Sequence, residues 1–304
     1  MFPGQGSQAV GMGADLYAAE PRVREALDAA GEVLGYDAAR RCAEGPREVL
    51  DRTEVAQPLL LAVSVGIWRA LADRGLCPDA VLGHSLGEYT ALVASGALPY
   101  DDALRVVRAR GEAMARAAAA EPGGMAAVLG LDDAAVERLC AGVDGVWPAN
   151  YNCPGQVVVS GRREALAAFA ARAAEAGARK VVPLAVSGAF HSPLMEPALP
   201  ALREALEGAA WRPPQTRFFS VCSLREETGG FVELLLRQLV SPVRFGPAVS
   251  LLQAAGYDAF LEVGPGAVLS GLVRRSAPQA RVARVGDLET LAAFAAGDDR
   301  TEGA

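Results

Sequence analysis

Along the chain, short apolar runs alternate with amphipathic segments rich in Ala, Leu and Arg. That alternation predicts a mostly parallel sheet crossed by helices. Ala80-Val81-Leu82-Gly83 reads as a buried strand, and Gly87 to Ser95 as the helix after it. From Asp101 to Ala120 the spacing is helical, with Ala103, Val106, Val107, Arg110 and Met114 on one face. The period changes after Gly124. Met125–Gly130, Gln156–Ser160 and Lys180–Val186 read as strands, separated by helices over Asp132–Cys140 and Arg163–Gly177. Strand, helix, strand, helix and strand in about 65 residues predict a ferredoxin-like α+β insertion. The larger pattern returns with a strand over Phe218–Val221, a helix over Phe231–Val240 and a strand over Ala259–Val263. The expected class is α/β. Its core covers residues 1–123 and 188–304, and the ferredoxin-like subdomain covers 124–187. Residues 297–304 are polar and are expected to fray.

Composition narrows the function classes. Hydrophobic residues make up 51% of the 304 and charged residues 21%, which excludes a disordered chain, a collagen and a coiled coil. Net charge is −7, and no basic run exceeds Arg162-Arg163 or Arg274-Arg275, so no nucleic-acid partner is expected. The longest apolar stretch, Pro58 to Trp68, stops at Arg69 and falls short of the roughly 20 residues that span a bilayer. No leader pattern opens the chain, and no membrane partner is expected. The five cysteines (Cys42, Cys77, Cys140, Cys153 and Cys222) form no C-x-x-C pair. That supports neither a metal site nor a disulfide framework, and a cytoplasmic location is expected.

The sharpest chemical signal is Gly83-His84-Ser85-Leu86-Gly87, a G-x-S-x-G motif between a strand and a helix. A serine on such a turn is held exposed, and the first amides of the helix can stabilise an oxyanion. Its hydroxyl needs a base, and the chain has only two histidines. His84 adjoins Ser85 and points to the opposite face. A histidine base should therefore be His191, in the loop Ser187-Gly-Ala-Phe-His-Ser-Pro193. His191 lies mid-chain, unlike the late histidine of ordinary α/β-hydrolases, which leaves open a dyad oriented by a backbone carbonyl or a triad. Arg110, on an apolar helix face, needs a partner. Either it is a structural or snorkelling arginine, or it points into the cleft and binds a substrate carboxylate. The glycines around Gln5 in Phe2-Pro-Gly-Gln-Gly-Ser-Gln8 allow a second oxyanion amide.

Together these stretches resemble the malonyl-CoA:acyl-carrier-protein transacylases and the acyltransferases of polyketide synthases. The likeness extends through Gly83-His-Ser-Leu-Gly-Glu-Tyr89, Arg108-Ala-Arg-Gly111, Asn150-Tyr-Asn-Cys-Pro-Gly-Gln156, Ala189-Phe-His191, Arg237-Gln-Leu239 and Glu262-Val-Gly-Pro-Gly266. The resemblance implies a hydrolase-like α/β core with a ferredoxin-like subdomain. It implies Ser85 as nucleophile, His191 as base, and the Gln5 and Leu86 amides as oxyanion hole. Arg110 would hold the malonyl carboxylate, and the Gln238 carbonyl would orient His191. Phe190 would crowd a branched acyl group. No bound cofactor is implied: malonyl-CoA is the substrate, and the partner, an acyl carrier protein, brings its own phosphopantetheine. A monomer is expected, with Arg162, Arg163, Arg179 and Lys180 as candidates for carrier docking. An acyl-carrier hydrolase on the same fold would be expected to lack Arg110, and a silent docking module to lack Ser85 and His191. Two departures accompany the likeness. Most of a first strand is missing ahead of Phe2, and Ser220 stands where asparagine is expected.

Overall fold

In the computed structural model, which describes residues 1–296, two sheets share the strands. The polar end over 297–304, expected to fray, lies outside the described residues. In chain order the strands are β1 (Ala80–Val81), β2 (Gly123–Leu129), β3 (Val146–Cys153), β4 (Gln156–Arg162), β5 (Lys180–Pro183), β6 (Arg217–Ser220), β7 (Arg225–Glu227), β8 (Ala259–Val263) and β9 (Arg281–Val285). β1 pairs parallel with β6, β6 antiparallel with β7, and β8 parallel with β9. Met1 and Phe2 close the gap between β1 and β8. Phe2 N donates to Leu82 O at 3.0 Å and Val263 N to Met1 O at 2.9 Å. The core sheet thus runs β7-β6-β1, Met1–Phe2, β8-β9, and the residues present at the expected first strand pair on both sides.

The helix Thr53–Asp73 anchors the core because nearly all of its faces are apolar. It is 21 residues long, well beyond the apolar run read from Pro58 to Trp68, and by length and composition it would reach across a bilayer. Here it is buried from Ala56 to Ile67 between the helices Pro21–Leu34 and Tyr100–Ala120. Leu59, Leu60, Val63 and Ile67 are fully or almost fully enclosed in the principal apolar cluster.

The inserted sheet has the order β3-β4-β2-β5, antiparallel throughout, with a separate apolar cluster that includes Val128, Val136, Val157 and Phe169. It contains one strand more than the sequence pattern predicts. β3 carries Pro148, and its pairing with β4 slips at Pro148/Asn150 and at Tyr151/Cys153. A bulged strand loses the clean two-residue period by which strands are recognised. β3 also ties the subdomain to the core, since Tyr151 N donates to Val243 O and Val243 N to Ala149 O, both at 2.8 Å.

The proposed carrier-docking cations do not form one patch. Arg162 pairs with Gly123 and Lys180 with Leu129, at opposite ends of β2. At about 3.3 Å per residue the two ends are roughly 20 Å apart. Arg162 is also ion-paired to Glu121 at 2.8 Å.

Candidate active site

Ser85 occupies the turn between β1 and the helix Gly87–Ala94 with φ of 52°, a left-handed conformation that costs about 1–3 kcal/mol for a non-glycine residue. Close packing on either side enforces the turn. A Cβ on Gly83 would overlap the Gly87 carbonyl, and a Cβ on Gly87 would overlap the Phe2 carbonyl oxygen. Both glycines are therefore steric requirements of the elbow. Gly87→Ala should cost about 3 kcal/mol, as overpacking does, and lower the melting temperature by several degrees. Gly271→Ala is the comparison: it faces open space within a helix and should be neutral or stabilising. Thermal denaturation of the two variants reads the difference. Equal melting temperatures would remove the steric account.

His191 reaches Ser85 across 106 residues of sequence. The loop after β5 brings the chain back to the core and holds His191 at φ 58°, with the Phe190 carbonyl accepting from Ser160 Oγ. Nε2 lies 2.7 Å from Ser85 Oγ, and Nδ1 lies 2.9 Å from Gln238 O. A carbonyl only accepts, so Nδ1 carries the hydrogen and Nε2 is free to accept the serine proton. The arrangement is a dyad oriented by a main-chain carbonyl. The ring is 4% exposed, and its pKa falls from 6.5 to about 3, chiefly through burial and then through the Arg110 cation. His84 points elsewhere, with Nε2 3.0 Å from Asn152 Oδ1 and its ring against Phe245.

Arg110 is 1% exposed, and its partners are neutral. Nη1 donates to Gln57 Oε1. Nη2 donates to Ser85 Oγ at 3.1 Å and to Gln238 Oε1 at 3.2 Å. The guanidinium carbon stands 5.3 Å from the centre of the Tyr89 ring. Burial lowers the Arg110 pKa, yet arginine stays protonated, so a full positive charge adjoins the serine hydroxyl. Among the described residues no carboxylate is ion-paired with it. The helix face that carried the puzzle in sequence thus buries its arginine against the site, while Arg108 and Glu112 pair with each other on the exposed face at 2.9 Å.

Gln5 joins the same hydrogen-bond network through Thr53 and Gln57. Its side-chain Oε1 accepts from Thr53 Oγ1 at 2.8 Å, and Gln57 Nε2 donates to Thr53 Oγ1 at 2.6 Å. Among the described residues neither the Gln5 nor the Leu86 amide is engaged by a protein acceptor. Phe190 is buried beside His191 in the principal cluster. Ser220 caps its own turn, its Oγ accepting from Cys222 N at 3.1 Å. The sequence reading missed Gln57, Glu88 and the Gln238 side chain. Each is wholly buried and hydrogen-bonded. Gln57 carried one usable signal, a lone amide in a run of apolar helix.

The sequence matches the acyl transferase domain family over residues 1–292. It is 42% identical over 297 residues to the malonyl CoA-acyl carrier protein transacylase of Bacillus subtilis (strain 168), covering 96% of this chain and 94% of that one. It is 41% identical over 281 residues to the protein of the same name from Escherichia coli (strain K12), covering 90% and 91%. Among solved structures, an acyl carrier protein S-malonyltransferase from Vibrio cholerae superposes with a TM-score of 0.93 at 40% identity, over 96% of this chain and 98% of that one. A malonyl-transacylase solved in complex with its type II polyketide synthase acyl-carrier protein superposes with a TM-score of 0.93 at 39% identity, over 97% and 98%.

Proposed function

The chain belongs to the acyl transferase domain family, and from that premise we propose that Ser85 carries a malonyl group between two thiols, with His191 as its base and Arg110 as its carboxylate anchor. The reaction is acyl-carrier-protein S-malonyltransfer, from malonyl-CoA to an acyl carrier protein. One observation carries the proposed roles: Ser85 Oγ stands 2.7 Å from a histidine nitrogen and 3.1 Å from an arginine nitrogen.

In the first half-reaction Ser85 Oγ attacks the thioester carbonyl and its proton passes to His191 Nε2. The oxyanion turns toward the Gln5 and Leu86 amides, each donor contributing about 3–4 kcal/mol to the barrier reduction. As the carbonyl reforms, the C–S bond breaks and the imidazolium returns its proton to the CoA sulfur. In the second half-reaction the phosphopantetheine thiol of the carrier gives its proton to Nε2 and attacks the serine ester. Collapse then returns that proton to Ser85 Oγ. Gln238 O holds the Nδ1 hydrogen throughout, so the ring keeps its tautomer. The Arg110 guanidinium supplies a fixed cation for the acyl carboxylate. An acetyl group leaves that cation without a partner, which penalises it. Phe190, packed next to His191, limits branching at the acyl α-carbon.

The division into a ferredoxin-like subdomain over 124–187 and a core over 1–123 and 188–304 is supported by the subdomain's own apolar cluster, although Met125, Ala127, Ala149 and Val158 pack into the principal one. The chain acts as a cytoplasmic monomer. Five unpaired cysteines, one of them exposed, fit a reducing compartment. Incubation with malonyl-CoA should leave one malonyl group on Ser85, and added holo carrier protein should remove it. Intact-protein mass spectrometry reads both steps, with Ser85→Ala as the blank. A folded protein that stays unmodified refutes the proposed roles.

A further inference from the structure

Glu88 follows the catalytic turn by three residues and is wholly buried. Its Oε1 accepts from Val221 N at 2.8 Å, and its Oε2 accepts from Gln238 Nε2. The second hydrogen of that same amide nitrogen goes to Ser85 O at 2.9 Å. Both donor positions of the Gln238 amide are therefore filled, and its Oε1 is left facing the Arg110 guanidinium at 3.2 Å. A flipped amide would set N–H donors against a cation and a carbonyl against a carboxylate. Gln57 mirrors the arrangement on the other side. Its Nε2 donates to Thr53 Oγ1 at 2.6 Å and its Oε1 accepts from Arg110 Nη1.

We propose that Glu88 is a positioning residue for acyl-group selectivity: its carboxylate fixes the Gln238 amide with the carbonyl toward Arg110, so that the guanidinium is held by neutral oxygens and keeps its charge for the acyl carboxylate. The inference rests on the reading of Arg110 as the malonyl anchor. The Glu88 carboxyl sits one amide away from Arg110, close enough to polarise Gln238 and too far to pair with the cation directly. A carboxylate in direct contact would neutralise the charge that the substrate needs. Burial raises the Glu88 pKa, while the Gln238, Ser220 and Val221 hydrogen bonds and the Arg110 charge oppose that rise.

The test compares Glu88→Gln, Glu88→Asp and Gln238→Glu with the unaltered enzyme. Three rates are measured: Ser85 acylation by malonyl-CoA, acylation by acetyl-CoA, and phosphonylation of Ser85 by a neutral fluorophosphonate. Glu88→Gln frees the amide to flip. Its malonyl kcat/KM should fall about tenfold, mainly through KM, with far smaller losses on acetyl-CoA and the phosphonate. Glu88→Asp keeps the charge and should recover part of the malonyl preference. Gln238→Glu places a carboxylate on Arg110 while keeping the main-chain carbonyl, and the ratio of malonyl to acetyl rates should fall about a hundredfold. Parallel losses on all three reagents, or an unchanged ratio in both Glu88→Gln and Gln238→Glu, overturn the proposal. An unaltered enzyme that phosphonylates Ser85 yet refuses malonyl-CoA instead overturns the functional reading on which it rests.

Discussion

His191→Ala will slow malonylation of Ser85 by about 10³-fold and leave the fold intact. The magnitude is that of a positioned general base, about 10²–10⁴. Among the described residues nothing else near Ser85 can take its place. His84 is directed to Asn152, and Arg110, 3.1 Å from the hydroxyl, is permanently protonated. A residual rate is expected from the proposed oxyanion donors and from the left-handed turn that keeps the serine presented. Stability should fall by the modest cost of emptying a buried ring site, too little to unfold the protein at neutral pH. Stopped-flow acylation followed by mass spectrometry, with circular dichroism as the folding control, checks both halves. A variant that acylates at the parental rate would transfer the base role to another group.

Two kinds of information in the chain had different fates. The elbow was legible because it is local: a strand, a five-residue motif and a helix are contiguous, and glycines at 83 and 87 are needed to let Phe2 and the turn approach. The pairing of Ser85 with His191 was legible by elimination, since only two histidines exist. Arg110 was singled out by a conflict, an arginine at a position whose neighbours on the helix face are buried and apolar, but that conflict left its destination open and only the family resemblance pointed to the site. What the sequence could not carry is the set of neutral groups around it. Gln57 and Gln238 are separated by 181 positions and meet only through the guanidinium. An amide has no periodicity and no charge to reveal such a contact. β3 was hidden for a related reason. Its role is to bulge and to couple with Val243, and both features erase the alternation that marks a strand. The cations offered for carrier docking divide between the two ends of β2, because adjacency in sequence says nothing about which end of a strand a residue reaches.

Arg110→Ala will cut malonyl acylation by about 10²–10³-fold, the cost of truncating one side of a buried charge pair. Acetyl-CoA, which has no carboxylate, should lose far less, so the selectivity collapses even where some rate survives. The same substitution moves the pH profile. In the intact protein burial and the Arg110 cation together hold His191 at about 3, so the imidazole is neutral and free to accept a proton across the whole ordinary range. Removing the cation leaves burial, the larger cause, and lets the pKa climb part of the way back toward 6.5. The acidic limb of acylation, where protonation disables the base, should therefore shift to higher pH in the variant. Stability follows the same sign. The unfolded chain binds a proton on this histidine below about pH 6.5 while the folded chain does not, so acid destabilises the native state as pH falls through that window. With Arg110 gone the window narrows, and the variant should lose less stability between pH 6.5 and 4 than its parent. Acylation rates with both thioesters over that range, alongside chemical denaturation at each pH, measure the two effects on one protein. Equal loss with malonyl- and acetyl-CoA, together with an unmoved acidic limb, would place the guanidinium outside the reaction.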